Sequence, residues 1–195
     1  MKHIEAIERS LRESVPSNLI ARKIFLSYPT AAFKDGEDLE FEILNKIKDF
    51  FDIPFSAIQI VGSSKTEKSL HKENTFTPKV SDLDVAIIDP SLFLKYVDIS
   101  YKATNGYSDL TKFRRDSNQR PTYHSFFKYT TKGIFRPDLM PQCKEAREWR
   151  KFFSKISADY RNTFKSINAG LYASEYIFES KHSQLIEDYR TSKGI

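Results

Sequence analysis

The sequence predicts an α+β chain: a mixed β-sheet flanked by helices, with a short C-terminal helical segment. Three observations carry that expectation. Two short β-branched runs, AIQIVG (57–62) and LDVAIID (83–89), have the length and composition of strands. Apolar residues at intervals of three and four mark helices before and after them. The 195 residues bound the whole to one core, so residues 1–195 are read as a single domain.

Residues 2–13 place Ile4, Ile7 and Leu11 at helical spacing among charges, predicting a short amphipathic helix on the core surface. Asp35-Gly36 turns the chain into a second helix with the stripe Leu39, Ile43, Leu44, Ile47, Phe50 and Phe51. Pro54 stops it, and the first strand run follows. LDVAIID is closed by Asp89-Pro90, which suits the N-cap and first position of a helix PSLFLKYVDISYKA. Asn105-Gly106 marks a turn, after which SDLTKFRRDSNQRPTY reads as a weak helix and then a loop. HSFFKYT (124–130) and IFRPDLM (134–140), joined by Thr131-Lys132-Gly133, predict a β-hairpin with Pro137 at an edge or bulge. From Lys144 the pattern is helical to the end of the chain. Trp149, Phe152, Phe153, Ile156, Tyr160 and Phe164 form one stripe, and Tyr172, Tyr176, Leu185 and Tyr189 another after Asn168-Ala169-Gly170. Residues 144–195 are therefore expected to pack on a core made by residues 37–142.

Composition narrows the function classes. One cysteine, Cys143, excludes an internal disulfide framework, and four scattered histidines leave no Cys/His cluster of zinc spacing. MKHIEAIERSLRES lacks the apolar centre of a signal peptide, and no run approaches the ~20 apolar residues of a spanning helix. A soluble cytoplasmic protein without a membrane partner is expected. The net charge of +5 is compatible with a polyanionic partner without requiring one.

Chemistry concentrates in residues 58–88. Asp82 and Asp84 alternate on a strand, so both carboxylates project from one face. Close like charges raise one another's pKa unless a cation lies between them, and a hard cation such as magnesium answers that conflict. Gly62-Ser63 follows the first strand directly; glycine admits close backbone approach, and serine adds a hydroxyl and an N–H for a phosphate. Asp138, expected on a later strand, would complete a set of three carboxylates able to hold two magnesium ions about 3.5–4 Å apart. It is also the candidate general base.

The order strand, Gly-Ser, spacer, Asp-x-Asp strand, helix and third Asp resembles the nucleotidyltransferase superfamily typified by DNA polymerase beta. Asp138-Leu139-Met140-Pro141 is similar to the motif around the third carboxylate of the oligoadenylate synthase and cyclic-dinucleotide synthase branch. The resemblance covers residues 37–142. It implies a nucleotidyltransferase-like sheet and transfer of a nucleoside monophosphate from a nucleoside triphosphate to a hydroxyl, with release of pyrophosphate. The acceptor would be a nucleotide, an RNA end, a protein or a small molecule. It further implies catalytic and metal-binding roles for Asp82, Asp84 and Asp138, with two Mg²⁺ ions and Mn²⁺ as a substitute. Gly62, Ser63 and Lys65 would bind the nucleotide.

Two features depart from the family pattern. Eighteen residues separate Ser63 from Asp82, an insert made basic by Lys65, Lys68, His71, Lys72 and Lys79. It reads equally as a wrap around a triphosphate or nucleic-acid acceptor and as a solvated loop. The short C-terminal portion supports an alternative on the same fold: a non-catalytic nucleotide- or nucleic-acid-binding regulatory module, antitoxin-like in kind. Arg114, Arg115 and Arg120 read as solvated loop charge, with an acceptor phosphate as the other reading.

Overall fold

In the computed structural model, which describes residues 2–72 and 74–195, the sheet draws on segments far apart in the chain. Strands β1 (Ile58–Val61) and β2 (Leu83–Ile88) pair antiparallel, with Val61 opposite Asp84. Strand β4 (Ile167–Tyr172) lies parallel to β2 over its full length, from Leu83 opposite Ile167 to Ile88 opposite Tyr172. The two-residue β3 (Ile134–Phe135) pairs antiparallel with the far end of β4, giving the order β1-β2-β4-β3.

Strand alternation sends side chains to two separate cores. Leu83, Val85, Ile87, Ile167 and Leu171 join Ile43 and Ile47 of α3 (Glu37–Phe51), Leu92 of α5 (Pro90–Ala103) and Trp149 of α7 (Lys144–Asp159). On the opposite face, Ala86 meets Ile7 of α1 (Lys2–Arg12), Ile20 of α2 (Ser17–Ala21) and Phe178 of α8 (Glu175–Lys193). Helices thus cover both faces of a mixed sheet, an α+β arrangement. Among the described residues, no helix is long and apolar enough to cross a membrane.

Where periodicity and end signals agree, the expected elements form. Asp89 caps α5, its Oδ1 accepting from the Leu92 N–H at 2.7 Å, with Pro90 in the first turn. Asp89→Ala is therefore expected to lower unfolding free energy by about 1 kcal/mol, read as a lower urea midpoint at unchanged slope.

Three expectations are corrected. HSFFKYT is not a strand: residues Tyr123–Thr130 form helix α6, which buries Phe126 against Phe113 and Phe135. Adjacent aromatics satisfy either period over so short a run, and packing decides. IFRPDLM contributes only Ile134–Phe135, because Pro137 has no N–H for a further rung and the chain turns away through Asp138. Finally, INAGLY is a strand and not a break between helices, although Asn, Ala and Gly are poor strand formers. Full pairing with β2 overrides that weak propensity. The C-terminal segment is therefore not packed on a finished 37–142 core, since residues 167–172 supply a central strand.

Candidate functional site

The site begins at the exit of β1. Because Val61 is the register partner of Asp84, the next residue, Gly62, turns directly against the Asp84 carboxylate. Gly62 has φ +70°, and a Cβ there would stand 2.7 Å from Asp84 Oδ2. Both the left-handed backbone and the close approach require glycine. The chain then forms the single turn α4 (Gly62–Thr66), in which Ser64 and Thr66 donate their hydroxyls to the Val61 and Gly62 carbonyls. The Ser63 hydroxyl has no such partner among the described residues and borders a 600 Å³ cavity with Gly62, His71, Lys72, Asp82 and Asp84.

The two aspartates share this cavity, but their environments differ. Ser166 Oγ donates to Asp82 Oδ1 at 2.8 Å, and Asn168 Nδ2 donates in turn to Ser166 Oγ at 2.8 Å. Asn168 is the register partner of Asp84, so this relay runs from one carboxylate to the flank of the other. The close walls of the cleft raise the Asp84 pKa above its ordinary value; the charge of Asp82 adds to the rise, and Lys72 pulls against it. The expected like-charge repulsion thus acts on Asp84, but second to the crowding of the cleft walls.

The basic insert is folded. Lys68 bridges Thr75, the Phe76 N–H donates to the Glu67 carbonyl at 2.7 Å, and the Lys79 N–H donates to the Thr163 carbonyl at 2.9 Å. Leu70 is buried, and Phe76 packs 6.0 Å from Phe164. The insert is a wall of the cavity that brings Lys72 toward Asp84; Glu73 lies outside the described residues.

Two site residues are not where the sequence suggested. Lys65 is 4% exposed, and its Nζ donates to the Tyr28 carbonyl at 2.6 Å beside a separate 390 Å³ cavity. It does not border the cavity of Ser63, Asp82 and Asp84. Asp138 lies beyond the end of β3, with β4 between that strand and β2. Arg136 holds it in a fork, Nε to Oδ1 at 3.1 Å and Nη2 to Oδ2 at 2.6 Å. Asp84 and Asp138 both border a cavity of 870 Å³. Even so, among the described residues no group of three or more His, Cys, Asp or Glu side chains is arranged to hold a metal ion.

The donor set that remains is Asp82 and Asp84, with neutral oxygens from Ser63 and Asn168 nearby. One magnesium ion fits such a set, since it takes one or two carboxylates and completes its shell with water and substrate phosphate. A second ion on Asp138 does not fit. Beyond Lys72, which the sequence offers only as one of the charges of the insert, the additions are Ser166 and Asn168. For these two the available signal was Ser166-x-Asn168, a polar pair at strand period. Compared with protein-family models, curated proteins and solved structures, the chain shows no match.

Proposed function

We propose that this chain is a nucleotidyltransferase that moves a nucleoside monophosphate from a nucleoside triphosphate to a hydroxyl acceptor, on a nucleotidyltransferase-like sheet. The observation that carries the reading is the left-handed Gly62 pressed against Asp84, with the free Ser63 hydroxyl and Lys72 in the same cavity. A phosphate chain lying there would meet Ser63 and Lys72, while Asp82, fixed by Ser166, and Asp84 face its α-phosphate. The acceptor oxygen bonds to the α-phosphorus as the bond to pyrophosphate breaks, and the hydroxyl proton passes to the carboxylate pair. Asp82 and Asp84 would hold magnesium, which would supply neutralisation of the charge that develops in transfer.

A second reading, a non-catalytic nucleotide-binding module, is favoured by one observation: the third acid is tied to Arg136. Release of labelled pyrophosphate from each of the four nucleoside triphosphates with magnesium, over a panel of hydroxyl acceptors, separates the two. Transfer predicts release that falls about 10²–10³-fold in Asp82→Ala and stays within a few-fold in Asp138→Ala. Equal rates in wild type and Asp82→Ala would sink the transfer reading. Triphosphate binding without magnesium dependence or release would establish the binding module.

A further inference from the structure

The 870 Å³ cavity lies between α7 and the edge of β4 that the short β3 leaves uncovered. Its α7 wall carries Arg150, Ser154 and Ser157 at successive helical steps, beside the buried Trp149 and Phe153. Arg114 enters from the loop before α6. That loop is fixed: the buried Phe113 ring anchors it, and the Arg114 carbonyl accepts from both the N–H and the hydroxyl of Thr122, at 2.9 and 3.0 Å. The position of Arg114 is set by the fold even though its side chain is exposed.

The guanidiniums in this cavity are unequal. Arg136 is neutralised by the Asp138 fork and lies over the Tyr129 ring, 5.0 Å from its centroid. Arg114 and Arg150 have no carboxylate partner and no side-chain hydrogen bond among the described residues. They are close enough for the charge of Arg114 to help depress the Arg150 pKa, behind burial and ahead of Arg147. Two unpartnered guanidiniums facing a cavity this large present a charge and donor array that suits a phosphate dianion.

We propose that this cavity is a binding site for a small phosphate monoester, its phosphate held by Arg114 and Arg150. The cavity passes from these arginines along Asn168 to Asp84, which also borders the Gly62-Ser63 cavity. A phosphorylated sugar seated on the arginines extends its hydroxyls toward the carboxylate pair. That the bound molecule is the acceptor rests on the transfer reading; that the cavity takes a phosphate monoester rests on the arginines alone.

Titration calorimetry of the full chain with ribose 5-phosphate and with ribose, at fixed ionic strength without magnesium or triphosphate, tests the site. Ribose 5-phosphate is expected to bind and ribose not to. The double variant Arg114→Gln/Arg150→Gln weakens binding at least about tenfold, the scale of a lost charge-assisted pair. Arg114→Gln alone, at an exposed position, gives part of that loss without burdening the core. Arg115→Gln changes nothing, because the Arg115 guanidinium is turned onto the Gln119 carbonyl of its own loop at 2.8 Å. Equal heats for ribose and its phosphate, or equal losses in the Arg115 and Arg114 variants, overturn the proposal. Binding of ribose 5-phosphate by a chain that releases no pyrophosphate keeps this site and removes the transfer reading. Pyrophosphate release by a chain that ignores ribose 5-phosphate does the reverse.

Discussion

Replacing Asp84 by asparagine is expected to stabilise the fold and, in the same variant, to lower the proposed transfer by about 10²–10³-fold. The first effect follows from the raised pKa of Asp84, a side chain open to solvent along the strand but crowded by the cleft walls and by the charge of Asp82. A carboxyl whose pKa is higher folded than unfolded binds protons more tightly in the native state. Its contribution therefore favours the fold as pH falls through the raised value toward 3.8, and that benefit is gone at neutral pH. Asparagine keeps the shape and the contact with Gly62 while removing the charge. Thermal midpoints should be higher for the variant at pH 7, and the gap should close on acidification. Asp138→Asn is the contrast: it loses an exposed pair with Arg136, worth at most about 1 kcal/mol, and gains nothing from relieved repulsion. An Asp84→Asn protein with a lower midpoint and unchanged turnover would make Asp84 an incidental strand-end acid.

The half of the site that the sequence revealed is the half that is local. Gly62, Ser63, Asp82 and Asp84 all belong to the β1–β2 pair, and their juxtaposition follows from strand alternation and antiparallel register. Lys65 lies elsewhere because proximity in sequence says little about direction on a helical turn. Two residues on from Ser63 is about 200° around the axis, so the lysine points into the protein while the serine faces the cavity. Lys72 reaches Asp84 instead, through an insert whose fold is set by Leu70 and Phe76 rather than by its charges.

Asp138 illustrates how an apolar motif can be met for a different reason. Leu139 and Met140 pack against the core, Met140 completely, and so pin the turn that follows β3. Packing explains those apolar residues, and the Arg136 fork explains the acid. The partner that the structure does give Asp82 is Ser166, itself held by Asn168, and the Ser166–Asp82 bond spans 84 residues of chain. Parallel pairing at that separation leaves no local signature beyond two polar residues in a weak strand. The same weakness hid β4 itself, and with it the cavity that β3 leaves open along its edge.

Lys65→Met is expected to remove from the stability profile a contribution that rises between pH 8 and 10.5. Burial lowers the Lys65 pKa from 10.5 to about 8, with Glu40 only partly opposing the fall. The unfolded chain then holds this proton more tightly than the folded one, so the lysine's contribution to stability increases with pH across this interval, against the opposite slope of the buried tyrosines and Cys143 that both proteins share. Below pH 8 the full penalty of a buried ammonium is present, about 3 kcal/mol at ~1.4 kcal/mol per tenfold change in proton affinity. Methionine removes that penalty but leaves the Tyr28 carbonyl without its donor, a loss of about 1–3 kcal/mol. The two changes nearly offset at pH 7, so the difference in pH slope is the diagnostic quantity. Urea unfolding of both proteins at pH 7, 8.5 and 10 measures it, with exposed lysines contributing alike to each. Parallel curves would mean that the amine is hydrated in solution. The same variant separates the two roles for this residue. A lysine on the triphosphate would take transfer down with it by orders of magnitude, whereas a buried anchor beneath α4 leaves the rate within a few-fold once the fold is intact.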